Sequence, residues 1–304
     1  MWLIDATLGE LADRFGAPAR VRDTVSAHYE RCVLDVVLPD GTPAIVKGNR
    51  GVDQARTEVT ALAAAGEAGV PVPTVLAHLS GTVSVLVLER LDGDWLSPDH
   101  PPSAWRTAGA ALRQLHSVWV PGLRGFAGES NWPASLRHMV IHWAPSCRAA
   151  GLATEVIDRV RAAVDRLTAS QWGERVVSAP APVTLHGDCA PIHFRLNGDN
   201  VVGILDLGDA CRGDPTWDIA VLTLRSPDRL PAVLDGYAAD ARLRAWGDHV
   251  LPTYQALRLF TEVGWLADHG YDPSMTAETA TAAVAGLPRH ARSVSRWGGR
   301  RRGG

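Results

Sequence analysis

The chain has 304 residues, room for about two domain-sized units with a cleft between them. Its 46% hydrophobic and 21% charged content is ordinary for a globular protein, and 29 Gly with 20 Pro exclude a low-complexity chain. A net charge of −3 lacks the basic excess of a nucleic-acid binder, and no apolar run approaches the roughly 20 residues that cross a bilayer.

At the N-terminus, Asp5 and Glu10 stand where a secretory signal would carry basic residues, so none is read there. The four cysteines, Cys32, Cys147, Cys189 and Cys211, show no CxxC spacing. A chain this long needs no disulfides, so a reducing, cytoplasmic setting is expected. Residues 20–47 read as strands. Cys32–Leu38 is β-rich, Pro39-Asp40-Gly41-Thr42 is a turn, and Pro43–Lys47 forms the second arm of a hairpin. Residues 53–68 have helical apolar spacing at Val59, Leu62 and Ala63. Gly69-Val70-Pro71-Val72-Pro73 stops that helix, and strands follow at Val75–Leu79 and Val83–Leu88.

Beyond Leu91 the pattern turns helical. Residues 103–117 carry Trp105, Ala108, Leu112 and Leu115 on one face, and 133–170 and 215–286 also read as helices. Short strands are predicted at Val183–Leu185, Phe194–Leu196 and Val201–Leu205. The expected division is a sheet-rich lobe over 1–90, a larger helical lobe over 91–295, and a basic tail over 296–304 containing Arg300-Arg301-Arg302.

One count is unusual. Of 30 basic residues, 29 are Arg and only Lys47 is Lys. A compact ammonium and a planar guanidinium are not interchangeable, so Lys47 is expected to do something Arg cannot.

The densest stretch is Leu185-His186-Gly187-Asp188-Cys189-Ala190-Pro191-Ile192-His193-Phe194. Gly203-Ile204-Leu205-Asp206 and Gly213-Asp214-Pro215-Thr216-Trp217-Asp218 follow it. Asp188 and Asp206 each end an apolar run, and Asn197-Gly198-Asp199-Asn200 reads as a hairpin turn between the segments. Asp188, His193 and Asp206 would thus meet in one cleft. Acidic oxygens with one further ligand suit Mg²⁺, which keeps waters and phosphate oxygens. A zinc site from His186, Asp188, Cys189 and His193 would need a different backbone path.

HxDxxxxN followed by a hairpin and a second Asp resembles the catalytic loop of the protein-kinase-like fold. Three further segments narrow the resemblance: Gly69-Val70-Pro71-Val72-Pro73, the Leu112-Arg113-Gln114-Leu115-His116 helix, and Gly213-Asp214-Pro215 with Asp218-Ile219-Ala220. From about residue 20 to 290 the chain resembles the aminoglycoside phosphotransferase family. That resemblance implies an α+β bilobal kinase-like fold with a small antiparallel-sheet N-lobe. It also implies Mg²⁺-dependent transfer of the γ-phosphate of ATP or GTP to a small-molecule hydroxyl.

On the same resemblance Asp188 is the base for the acceptor hydroxyl and Asp206 the Mg²⁺ carboxylate. Lys47 contacts the α- and β-phosphates and pairs with Glu58. Glu89 and Leu91 flank the hinge that binds the nucleobase edge. His186 and Asp218 hold the catalytic loop, while Asp209 and Asp214 either join the site or hold the fold. His193 stands where most of the family has Asn, as in 2''-aminoglycoside and macrolide phosphotransferases. Its role is metal ligand or structural residue, and GTP becomes a candidate donor. No glycine-rich loop is present. Thr24–Arg31 takes its place, with Ser26 either a phosphate contact or part of an ordinary turn.

Only seven residues separate Asp206 from Asp214, too few for a peptide-holding segment, so the expected acceptor is small. An antibiotic inactivated by O-phosphorylation (aminoglycoside, macrolide or nucleoside) is the leading reading. A metabolite kinase and a weakly catalytic nucleotide-binding module are the alternatives. Trp132, Trp143, Trp246 and Trp265 are expected to wall the acceptor pocket. His138 and His142, one helical turn apart, are a helix surface or part of that wall. Seven carboxylates between Asp235 and Glu278 against Arg242, Arg244 and Arg258 make either an acidic wall or a solvated face. The oligomeric state is open.

Overall fold

A computed structural model of the chain describes residues 2–28, 30–50, 52–169 and 181–287. The basic tail expected over 296–304 lies outside the described residues. The first element is a helix, α1 (Trp2–Phe15), which the sequence reading did not foresee. Leu3, Thr7 and Leu11 recur every four residues along it and are buried, the spacing that puts side chains on one helix face.

Five strands follow: β1 (Arg20–Ala27), β2 (Arg31–Val37), β3 (Pro43–Asn49), β4 (Val75–Ser80) and β5 (Ser84–Glu89). They form one antiparallel sheet in the order β1-β2-β3-β5-β4, with α2 (Val52–Glu67) inserted between β3 and β4. Strand β2 alternates buried and half-buried residues. Its Cys32, Leu34 and Val36 turn outward under α1, forming a small core with Leu3, Leu11, Val46, Val85 and Val87. The opposite face of β2 and β3 looks into the cleft. Leu86 and Leu88 of β5 pack with Ala61, Leu62 and Ala65 of α2 in the main core. β5 is therefore covered on both sides, which explains its unbroken apolar run.

The remainder is mostly helical. A two-residue strand β6 (Asp94–Trp95) leads to α3 (Pro102–Ser117), α4 (Trp132–Ala149) and α5 (Thr154–Thr168). Next come β7 (Val183–Leu185), the hairpin β8 (Phe194–Asn197) and β9 (Asn200–Ile204), and β10 (Cys211–Gly213). β10 pairs with β7, and the hairpin pairs with β6. Among the described residues four helices follow: α6 (Pro215–Thr223), α7 (Leu230–Gly236), α8 (Ala241–Asp268) and α9 (Ser274–Ala285). This is the α+β architecture expected, a small antiparallel sheet followed by a helical body. Among the described residues no helix is long and apolar enough to cross a membrane. All four cysteines are buried, unpaired thiols.

Asp214 belongs to this framework. Its carboxylate caps α6 through the Thr216 N–H (2.8 Å) and accepts from Trp246 Nε1 (2.6 Å) and the Tyr254 hydroxyl (2.9 Å). Asp214→Ala strips a helix cap, worth about 1 kcal/mol, and strands two buried donors at about 1–3 kcal/mol each. Urea unfolding should show a loss of about 3 kcal/mol or more. A loss under about 1 kcal/mol would remove Asp214 from the framework.

Candidate active site

The strand register builds the roof of the cleft. Val33 lies opposite Lys47, Asp35 opposite Ile45 and Arg31 opposite Asn49. Directly opposed residues share a face, so Arg31 and Lys47 both look into the cleft. Ser26, opposite Val33 on β1, stands at the same edge and is exposed. The Lys47 side chain is only 7% exposed and Glu58 only 3%. Lys47 Nζ donates to Glu58 Oε1 of α2 and to Asp206 Oδ1 (3.0 Å). A buried ammonium shared by two carboxylates is compensated, as a buried charge must be.

Below the roof, Asp218 of α6 fixes the loop that carries Asp188. It accepts from the backbone N–H of His186 (2.6 Å) and Gly187 (3.1 Å) and from His116 Nε2 (2.9 Å). Trp217 Nε1 donates to the Gly187 carbonyl (2.9 Å). Gly187 has φ +86°, and a Cβ there would sit 2.1 Å from the Asp209 carbonyl oxygen, so only glycine fits. His186 Nε2 donates to the Leu205 carbonyl (2.8 Å), and its ring stacks on His193 at 5.2 Å. Burial and the His193 ring push His186 below its ordinary pKa.

His193 Nδ1 donates to the Asp188 carbonyl (2.7 Å). Its Nε2 then faces Asp206 Oδ2, 3.8 Å away. Asp206 follows β9 with φ +64°, a left-handed conformation that Asp tolerates better than most residues. Burial alone would raise its carboxyl pKa. Lys47, Arg31 and His193 outweigh burial and hold it well below the usual range. Arg31 Nη2 bridges both Asp206 oxygens at 2.8 and 2.9 Å.

Asp188 faces the other way. Its Oδ1 accepts from Arg258 Nη2 of α8 (2.7 Å). Burial raises its carboxyl, but Arg258, His193 and His186 bring it below the ordinary value. Asp188 and Arg258 line a cavity of about 360 Å³ together with Phe126, Trp143, Trp217 and Trp265. Asp209 opens into the same cavity and accepts from Gln54 Nε2 (3.2 Å). Desolvation by the surrounding protein and the Asp188 and Asp206 carboxylates push it up to about 6, although its side chain reaches solvent. The hinge, Glu89–Leu91, lies at the end of β5. Glu89 bonds Thr74 in both directions, and Leu91 packs on β9, where a Cβ on Gly203 would sit 2.3 Å from Leu91 Cδ1.

Lys47, Glu58, His193 and Asp206 thus form one continuous cluster, with Asp188 reached through the His193 bond. Arg31 and Arg258, each bonded to one of the two carboxylates, went unassigned in the sequence reading. Of the four tryptophans expected in the acceptor pocket, Trp143 and Trp265 line the Asp188 cavity. Trp132 and Trp246 instead line a separate cavity beside Asp214, where their indole N–H groups serve Tyr254 and Asp214. Trp217 takes a place that was not foreseen. Of the seven carboxylates between Asp235 and Glu278, only Glu262 reaches the Asp188 cavity. Asp235 pairs with Arg244 (2.9 Å) and Asp240 caps α8, so that stretch is mostly a solvated face. His138 of α4 donates from Nδ1 to Glu129 Oε1 (3.1 Å), away from Asp188. Among the described residues no three His, Cys, Asp or Glu side chains converge as a metal cage.

Residues 32–260 match the model of the phosphotransferase enzyme family. Solved structures of the same fold include a thermostable mutant of the aminoglycoside phosphotransferase APH(4)-Ia in a ternary complex with AMP-PNP and hygromycin B. Its TM-score is 0.69 at 17% identity, over 92% of this chain and 98% of that one. A choline/ethanolamine kinase family protein from Mesorhizobium loti matches with TM-score 0.68 and 21% identity, over 94% and 96%. A mutant of aminoglycoside 2'-phosphotransferase IIIa in complex with GDP matches with TM-score 0.67 and 14% identity, over 93% and 97%. Among curated proteins none matches the sequence. A family match spanning most of the chain, on a kinase-like fold, is decisive: the chain belongs to the phosphotransferase enzyme family and is a small-molecule kinase acting on a hydroxyl group.

Proposed function

We propose that the enzyme transfers the γ-phosphoryl group of ATP or GTP to a hydroxyl on a ring-bearing antibiotic, with Asp188 as the base. One observation carries this. Asp188 joins two compartments, with the Lys47–Asp206 cluster behind it and an aromatic cavity in front. Arg258 occupies one Asp188 oxygen, which leaves the other to orient and accept the proton of an acceptor hydroxyl. Little covalent chemistry falls to the protein in phosphoryl transfer, so positioning and charge dominate.

In this reading the N-lobe (1–90) holds the donor and the C-lobe (91–295) the acceptor. The hinge backbone at Glu89 and Leu91 reads the base, the phosphates run under β2 and β3 toward Lys47, and Ser26 flanks them. Asp206 with the His193 Nε2 lone pair would hold Mg²⁺. Two protein ligands fit an ion that keeps waters and phosphate oxygens, and the cationic groups now gathered on Asp206 show that the spot favours positive charge. When bound, Mg²⁺ supplies charge neutralisation for the transferring phosphoryl group. His193 in place of Asn is the basis for including GTP as a donor. The unpaired thiols suit a reducing cytoplasm.

The cavity wall selects the acceptor class. Trp143, Trp217, Trp265 and Phe126 offer flat apolar faces, and Arg258 sits among them where a polycation would meet repulsion. This favours an uncharged, ring-rich acceptor of the nucleoside or macrolide type over an aminoglycoside. Nucleotide turnover with Mg²⁺ should be measured against a nucleoside antibiotic, a macrolide, an aminoglycoside and choline. Turnover with either of the first two is expected. Turnover confined to the aminoglycoside or choline would refute the acceptor class, and no turnover with any acceptor would favour a binding module.

A further inference from the structure

We propose that Arg31 is a two-position guanidinium. It neutralises Asp206 while the cleft lacks nucleotide, and it moves to the nucleotide's terminal phosphates when metal takes Asp206. The proposal rests on the reading of Asp206 as the metal carboxylate.

The strand register carries the first half. Arg31 lies two residues along β2 from Val33, the partner of Lys47, so both cations reach the same carboxylate from the roof. Arg31 Nη2 bridges Oδ1 and Oδ2, and Lys47 adds a third bond at Oδ1. A carboxylate offers about four acceptor positions; these three bonds leave one, and two cations beside it repel an arriving divalent ion. One of the two cations must yield. Lys47 is held on its far side by Glu58. Arg31 bonds no carboxylate except Asp206 among the described residues, and its Nε is buried without a partner. Arg31 is the cation that can leave.

The destination follows from the roof. The His28 N–H donates to the Arg31 carbonyl (2.8 Å), and the segment 24–31 contains no glycine. Without glycine, the segment's close backbone approach to phosphates is less favourable than that of a glycine-rich loop. A guanidinium at its base supplies the missing donors, and its planar fork matches phosphate oxygens. The unpartnered Nε becomes one of those donors after the move. A divalent ion arriving at Asp206 would repel Arg31 at short range and drive the exchange.

Mn²⁺ serves as the spectroscopic probe, titrated by EPR without nucleotide. Mg²⁺–AMP-PNP binding is read by calorimetry. Arg31→Met should bind Mn²⁺ at least tenfold more tightly than the wild type and AMP-PNP at least tenfold more weakly. Arg31→Lys keeps one charge without the fork and should lie between on both readings, which decides the matter if the Met variant fails to fold. Unchanged Mn²⁺ affinity would overturn the plug, and unchanged AMP-PNP affinity would overturn the transfer to phosphate. Asp206→Asn in the Arg31→Met background separates the two layers. Mn²⁺ binding that survives it would overturn the metal reading of Asp206, and the Arg31 proposal with it.

Discussion

Asp188→Asn lowers kcat by about 10²–10⁴-fold, the usual contribution of a positioned base, while AMP-PNP affinity is little changed. The substitution keeps the side chain's volume and its place above the aromatic cavity. It removes the charge that Arg258 holds at 2.7 Å, and an amide cannot accept the acceptor's proton. The proposed nucleotide contacts lie on the other side, at Lys47 and Asp206, and His193 bonds the Asp188 backbone carbonyl, which the substitution leaves in place. Steady-state kinetics with calorimetry on the same preparation checks this. Near-normal kcat would remove Asp188 as the base, and a matching loss of AMP-PNP binding would show that the loop had moved.

Lys47→Arg folds and loses about 10²–10³-fold in kcat/KM, the scale typical of one misplaced preorganised donor. The ammonium sits in a slot between Glu58 and Asp206 and is almost fully buried. A guanidinium keeps the charge but is wider and flat, and would press Glu58 and Asp206 apart. Lys47→Met provides the contrast. It strands buried Glu58 and should cost about 3–5 kcal/mol of stability, visible as a lower Tm, whereas the Arg variant should melt near the wild type. Full activity of Lys47→Arg would make the lone lysine accidental.

Most of this architecture is legible along the chain because strand and helix periods are local. The hairpin ending in the Lys47 strand, the helix bearing Glu58 and the β8–β9 turn all follow from spacing and turn residues. Helix α1 had the same signal at Leu3, Thr7 and Leu11, and Gly16 (φ +73°) with Pro18 marks its stop, but the stretch was not read. The arginines at the site are different. Arg31 meets Asp206 across 175 positions and Arg258 meets Asp188 across 70. In a chain with 29 arginines nothing local sets those two apart. Trp132 and Trp246 failed for a related reason. A helix face is readable from its period, but which of two cavities it faces depends on the packing of α4 against α8.

The path from Asp206 to α6 has one more consequence. Residues 207–209 form a 3₁₀ turn, Cys211–Gly213 pairs with Val183–Leu185, and α6 begins at Pro215. Enzymes that are switched by modification keep a long free stretch there, to be ordered when a phosphate is added. Here every residue of that stretch is already part of a turn, a ladder or a cap. No free stretch remains there for a modification to order.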